Sequence, residues 1–514
     1  MSVLNKQSDF DRGDNAEASR RPGAGVLRAG VARSDITIDS KDAVIHGRLY
    51  AKALILDDGT TRLAIIAMDV TAIGARNISR NMLPDVSEEF LPRLRERIQK
   101  ELGILGKNVL VNASHTHPPS RMLCDDEEQL KRTFDAVSRA AGDLTEVRIG
   151  SGVGHEDRIT MNRTLKLKNG QHWTIRHANP SPPNEEVAGL GPHDPQIGIL
   201  RIDRLNGTPL AVVYNFASHL LYADPQGSIT PNFPGVASQL IEETLGHGAT
   251  AIFLQGAAGD VVDVTFKDFS RPRDMERFGV MLGLSTLKGL REIPTTPAAT
   301  LRVASETIEL PRRTDIPQRI AELMKAQDEL LESLRSTALN FETFLPLYLK
   351  HRLNPNHPSD YSYRYLQLEK IGSDELSATD SFVRRYIDKY LRNIRAMEKL
   401  GRIRENIDTL KKHQSLNKES GSPTIPAEIQ GMKIGDCVLL ASPLEVLTEV
   451  SLNIKKASPY KHTFVAAFSN GYMHYGPPEA DYGKGGYEVI ECLLAPEWQK
   501  IYENKANEII QRLR

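Results

Sequence analysis

Short apolar runs closed by turn residues alternate along the chain with stretches whose apolar positions recur every three to four residues. That alternation predicts strands interleaved with helices, an α/β fold with mixed sheets flanked by helices. From Gly25 the chain is β-rich. Runs over 50–56 and 62–68 flank Asp57-Asp58-Gly59 and predict a β-hairpin. Residues 88–102 predict a helix with Phe90, Leu91, Leu94, Ile98 and Leu102 on one face. An apolar strand from Asn108 follows, then a helix over about 127–141. A second block starts near Ile197, with adjacent strands over 197–202 and 210–217. Residues 234–245 predict a helix with Val236, Leu240 and Leu245 inward and Gly246 as its stop. Residues 249–255 form a short buried strand, β character returns over 425–440, and a helix from about Pro496 closes the chain.

Residues 315–420 break this rhythm, being charged, glycine-poor and helical in period. Amphipathic helical hairpins are expected there, as an insertion or cap on a catalytic domain built from 25–314 and 421–514. Such helices could roof a cleft or form a homo-oligomer interface. Arg312-Arg313 and Arg384-Arg385 are read as solvated surface. Residues 1–24 are polar and are expected to lack fixed structure.

Composition narrows the function classes. The 514 residues carry 40% hydrophobic and 25% charged side chains, as ordinary globular chains do. A formal net charge of -1 offers no global field for nucleic acid or anionic membranes. No run is long and apolar enough to span a bilayer, and no apolar stretch near Met1 suggests a secretory signal. Three dispersed cysteines, Cys124, Cys437 and Cys492, suit a reducing compartment, so a cytoplasmic location is expected.

The candidate chemistry starts at His115-Thr116-His117-Pro118-Pro119, where an apolar strand stops. In extended backbone, residues i and i+2 share a side, so both imidazoles are expected to leave the strand together. Imidazole is the commonest metal ligand. His219 follows a second apolar strand in the same way. A catalytic zinc takes three protein ligands and keeps an open position. Glu445, after Pro443, is the carboxylate expected in a helix first turn, with Glu449 the weaker candidate. Tyr472, Tyr475, Tyr482 and Tyr487 crowd a Gly/Pro-rich loop that does not read as core. No Gly-x-Ser-x-Gly and no His-Glu-x-x-His occurs, which excludes the nucleophile elbow and the helix-borne zinc protease site. Metallo-β-lactamase folds want Asp-His where Pro118-Pro119 stand.

The order of His115-Thr-His117, Asn162-Arg163, Asn215-Phe-Ala-Ser-His219, Gln255-Gly-Ala-Ala-Gly259-Asp260, Pro443-Leu-Glu445 and Asn470-Gly-Tyr-Met-His-Tyr475 with Tyr487-Glu488 resembles the catalytic domain of the neutral ceramidase family. The resemblance implies one Zn2+ held by His115, His219, Glu445 and Tyr475. It also implies that His117, Arg163 and Tyr487 orient an amide, steady its oxyanion and protonate the leaving amine. The implied activity is zinc-dependent hydrolysis of a linear amide (N-acyl) bond by attack of metal-bound water, on a small-molecule substrate. Departures are specific. Val262 stands where the family has serine, Pro118-Pro119 follow the paired histidines, and 476–481 read Gly-Pro-Pro-Glu-Ala-Asp. The family's C-terminal immunoglobulin-like domain is not seen. The expectation is therefore a ceramidase-like amidase whose substrate is not ceramide; the alternative is a non-catalytic metal- or lipid-binding protein on the same scaffold.

Overall fold

The computed structural model describes residues 26–514 apart from 39, 80–84, 118–123, 177–180, 223–227, 269, 271–272 and 298. The expectation for 1–24 and the two prolines Pro118-Pro119 lie outside the described residues.

The largest sheet has eight strands: β1 (Arg28–Asp35), β2 (Tyr50–Asp57), β3 (Arg62–Met68), β4 (Val109–Ala113), β5 (Thr145–His155), β6 (Gln196–Arg204), β7 (Pro209–Phe216) and β8 (Thr250–Gln255). Their order is β8-β7-β6-β5-β1-β2-β3-β4. The centre is antiparallel, and each end closes with a parallel pair, β3/β4 and β7/β8. A parallel pair needs a crossover. The crossovers here are the helices α1 (Phe90–Leu102), before β4, and, after α2 (Asp126–Gly142), α3 (Asn232–Leu245), before β8. A smaller sheet pairs β9 (Leu301–Pro311), β10 (Thr424–Ile434), β11 (Cys437–Ala441) and β12 (His462–Ala466) in that order, and β11/β12 is again parallel.

The two sheets face each other. Leu54, Leu56, Leu63 and Ile65 from β2 and β3 meet Met432, Leu439 and Phe464 from the smaller sheet in one core. Ala51, Ala53 and Ile55 alternate to the other face and pack under Phe134, Val137 and Ala140 of α2. With both faces covered, β2 reads from Ala53 to Leu56 as a continuous apolar run rather than an alternating one. Helix α2 starts where the Asp125 side chain accepts from Glu128 N–H (3.0 Å). α4 (Met275–Arg291) packs on α3 over β6–β8. The inward face of α3 is Phe233, Ala237 and Ile241, not Val236, Leu240 and Leu245. Val236 and Leu240 turn instead onto Gly279 and Gly283 of α4, whose missing side chains admit them.

Residues 315–420 form α5 (Ile316–Ser333), α6 (Phe341–Leu353), α7 (Ser362–Lys370) and the 46-residue α8 (Glu375–Ser420). Helices α9 (Thr448–Ala457) and α10 (Trp498–Arg512) cover the outer face of the smaller sheet through Val450, Ile454, Trp498 and Tyr502. Arg384 and Arg385 are exposed as expected, but Arg313 is buried, paired with Asp315 (2.8 Å). No described helix is long and apolar enough to cross a membrane.

Candidate metal centre

The outer edges of the large sheet curl towards each other. Gln255 N–H at the end of β8 donates to Asn112 Oδ1 in β4 (2.8 Å), and its side-chain amide donates to Ser114 O (2.8 Å) and Ser218 O (2.7 Å). One glutamine thus ties together the segments that carry His115 and His219. Ligands gather at carboxyl ends of parallel strands in open sheets, and β4, β7 and β11 each end here.

His115 does not leave an extended strand. β4 stops at Ala113, and His115 sits in left-handed backbone with φ 63. Its N–H donates to Val70 O (3.0 Å), and His117 N–H donates to Leu220 O (3.1 Å). The turn, rather than the two-residue repeat of a strand, brings the two Nε2 atoms to 3.0 Å. Phe468, Asn470 and His474 are also left-handed, at φ 54, 59 and 60. Such non-glycine residues cluster where tertiary structure forces a local shape, at about 1–3 kcal/mol each. Glu445 also departs from expectation. It lies in a two-residue strand, Glu445–Val446, parallel to Tyr475–Gly476, and α9 begins only at Thr448. That ladder places Glu445 directly opposite Tyr475, and Glu449 points to solvent.

Five of the expected residues meet in a buried cluster. His219 Nε2 lies 3.1 Å from Glu445 Oε2, and His115 Nε2 lies 3.7 Å from the same oxygen. Tyr475 Oη is 3.4 Å from His219 Nε2. The donor nitrogens of His115, His117 and His219 all fall within 4.8 Å of one another. His115 Nδ1 faces Thr71 O (2.7 Å) and His219 Nδ1 faces Ala258 O (2.5 Å). A carbonyl only accepts, so both Nδ1 atoms carry the proton and both Nε2 atoms present lone pairs. Burial holds His115 and His219 well below the ordinary imidazole pKa. Burial, then the neighbouring His219 and Arg163, push His117 down to about 3. Glu445 Oε1 accepts from Tyr472 Oη, while Oε2 is buried without a hydrogen bond. Two imidazole lone pairs thus converge on an unpartnered carboxylate oxygen, a donor set that fits a divalent cation. Donors bound at about 2.0–2.2 Å in a tetrahedron lie about 3.3–3.6 Å apart, which the distances here bracket.

Arg163 and Tyr487 complete the site. Arg163 donates through Nε to Glu488 (2.8 Å) and through Nη2 to Gly259 O (2.8 Å) and Tyr475 Oη (3.0 Å). Burial opposes its charge, but Tyr475 and Glu488 hold it more firmly protonated than usual. Burial, with Glu445 beside it, raises the Tyr475 phenol well above its ordinary value. The Tyr487 ring lies 5.4 Å from that of Tyr475 and stacks under Arg176 at 3.7 Å. The tyrosine loop belongs largely to the interior: Tyr472, Tyr475 and Tyr482 are buried. Sequence reasoning gave no role to Tyr472, which holds Glu445, or to Glu488, which holds Arg163 and accepts from Thr174 (2.6 Å). Both lie inside motifs already singled out, but nothing local says which neighbour they touch. Asp260 accepts from Asn162 (2.6 Å) and from Thr448 N–H (2.9 Å), starting α9, and burial lifts its carboxyl to about 6. Val262 turns away into a small apolar cluster with Leu165, Ile175 and Phe266.

Compared by sequence, the chain matches no family model and no curated protein. Compared by structure, it matches the neutral ceramidase from Pseudomonas aeruginosa, with a TM-score of 0.58 and 17% identity over 95% of this chain and 75% of that one. It also matches a ceramidase complexed with C2, with a TM-score of 0.59 and 16% identity over 95% of this chain and 76% of the other. The fold is therefore neutral-ceramidase-like, a mixed α/β architecture.

Proposed function

We propose that the protein is a zinc-dependent hydrolase of linear N-acyl amides, ceramidase-like in its chemistry and acting on a small-molecule substrate other than ceramide. The observation that carries the reading is Glu445 Oε2, buried and unpartnered, 3.1 Å from a deprotonated His219 Nε2. The ceramidase-like fold supports the reaction class.

In this reading His115, His219, Glu445 and Tyr475 hold the ion. Once bound, a divalent cation of this kind supplies Lewis acidity and a nucleophile near neutral pH. The chain's own residues do the rest. Thr71 and Ala258 carbonyls keep both ligand imidazoles in the required tautomer. His117, half-exposed beside His115 and neutral at rest, takes up a proton during attack and returns it to the leaving nitrogen. Arg163 fixes the Tyr475 phenol and, with Tyr487, places positive and O–H character where negative charge develops on the amide oxygen. Val262 in its apolar cluster offers substrate no hydroxyl, which supports a substrate other than ceramide. Residues 25–314 and 421–514 make up the catalytic body, and 315–420 act as a cap. Arg402 of α8 over the Trp173 ring (3.5 Å) and Thr409 on Glu491 (3.2 Å) support that placement. Free Cys124, Cys437 and Cys492 suit the cytoplasm.

The test is a zinc-replete hydrolysis screen over N-acyl amides of graded chain length, with His115→Ala as control. Turnover that disappears in the variant is expected. Equal turnover in the variant defeats the metal assignment, and ceramide as the best substrate defeats the specificity. Zinc binding with no turnover of any amide points instead to a binding protein.

A further inference from the structure

A second group of donors lies where the helical segment meets the tyrosine loop. We propose that His413 of α8, with His474 and Glu491, forms a second site for a divalent transition metal, fastening α8 to the loop that carries Tyr475.

The three side chains bring one donor atom each within 4.8 Å of the others. His413 is fully buried, and neither of its ring nitrogens has a hydrogen-bond partner; His474 Nε2 is buried and unpartnered too. Buried imidazoles otherwise find partners, because an unmade hydrogen bond forfeits the solvation it had in water. His413 Nε2 stands 3.6 Å from Glu491 Oε2. That is too long for a hydrogen bond, yet close to the separation of two ligands sharing one tetrahedral ion, about 3.3–3.6 Å. Thr409 Oγ1 donates to the other oxygen, Glu491 Oε1 (3.2 Å), and so turns Oε2 inward. Two imidazoles and a carboxylate without a thiolate suit Zn2+, Co2+ or Fe2+ rather than Ca2+ or Mg2+.

The site has a structural connection to the first centre. His474 Nδ1 is 3.4 Å from Tyr472 Oη, and Tyr472 donates to Glu445. Residues 413, 474 and 491 are brought together only when α8 docks on the loop, so a metal bound by all three holds that docked arrangement. The competing arrangement is a metal-free ion pair between a protonated His413 and Glu491. It predicts no metal uptake.

The experiment uses the full chain, stripped with chelator and titrated with Co2+ and with Zn2+, reading metal content and cobalt absorption. Two equivalents per chain are expected for the unsubstituted protein, one for His115→Ala, one for His413→Gln and one for Glu491→Gln, and none when the first-centre and second-centre substitutions are combined. A His115→Ala chain that takes up no metal, or a His413→Gln chain that binds as much as the unsubstituted one, overturns the proposal. In the cobalt titration of the unsubstituted protein, saturation at two equivalents supports the second site, and saturation at one refutes it unless that equivalent is lost in His413→Gln. That last pattern would instead count against the first centre, so the two readings fail separately.

Discussion

Glu445→Gln should move the metal-free and metal-bound proteins in opposite directions. Without a cation, Glu445 Oε2 is a buried carboxyl oxygen with no hydrogen bond, facing His219 Nε2 at 3.1 Å. A glutamine amide placed there donates to that nitrogen, while its carbonyl still accepts from Tyr472. Removing an unsatisfied buried group and adding one hydrogen bond stabilises by about 1–3 kcal/mol. Unfolding entropy is about 2.1 cal/mol/K per residue, so for a chain of this size unfolding as one unit each kcal/mol is about 1 °C. The metal-free melting midpoint should therefore rise by about 1–3 °C. With zinc at 100 times its Kd, the unsubstituted protein gains about 2.7 kcal/mol, or about 3 °C. A ligand lost weakens binding by more than the roughly 10–100-fold effect of outer-shell changes, so, with both proteins carrying His413→Gln to remove the second site, the same zinc should move the variant by less than about 1 °C. Scanning calorimetry with chelator and then with zinc reads both numbers. A variant that melts lower without metal and still gains the full zinc shift would show that Oε2 has another partner and that the centre is misread.

Three other outcomes follow from the same geometry. Arg163→Lys keeps the charge but cannot reach Glu488, Gly259 O and Tyr475 together; kcat should fall about 10²–10³-fold with metal content unchanged, and steady-state kinetics beside metal analysis would show it. Gly259→Ala puts a Cβ 2.6 Å from Glu445 O and 3.1 Å from Val446 O, so the ligand strand must shift; a loss of about 1–3 kcal/mol in denaturant melts is expected, together with weaker metal binding. For Asp260, a folded pKa of about 6 against the ordinary carboxyl value of 3.8 means that the folded state holds the proton more tightly. Its contribution is fully present below about pH 4 and is lost as pH rises through 6, by roughly 3 kcal/mol. Denaturation of metal-free protein at pH 4 and pH 7 should show that loss, and Asp260→Asn should make the difference between the two pH values smaller by that amount, leaving the part due to Asp69, which burial also lifts to about 6.

Local pattern was enough to locate the β2–β3 hairpin, helices α1 and α2, the paired strands β6 and β7 and the helical character of 315–420. Each of these is decided by the spacing of apolar residues and by nearby turn residues. The same holds for the chemical types of the site: His115, His117, His219, Glu445, Tyr475, Arg163 and Tyr487 stand beside strand ends or in one loop, and the fold brings all seven into one region. Local pattern failed where a distant partner sets the conformation. Glu445 is in a strand rather than a helical turn because Tyr475, thirty residues on, offers it a ladder. His115 is left-handed because Val70 O and the edge of β3 hold its backbone. Arg163 finds Tyr475 across 312 residues and Gln255 finds Asn112 across 143, contacts that periodicity cannot encode. Periodicity reports which face of an element is buried; which residue lies opposite depends on how the sheet curls and which edges meet. His413 is the clearest case: along α8 it reads as one more polar position, and only the docking of that helix against Glu491 and His474 gives its nitrogens something to bind.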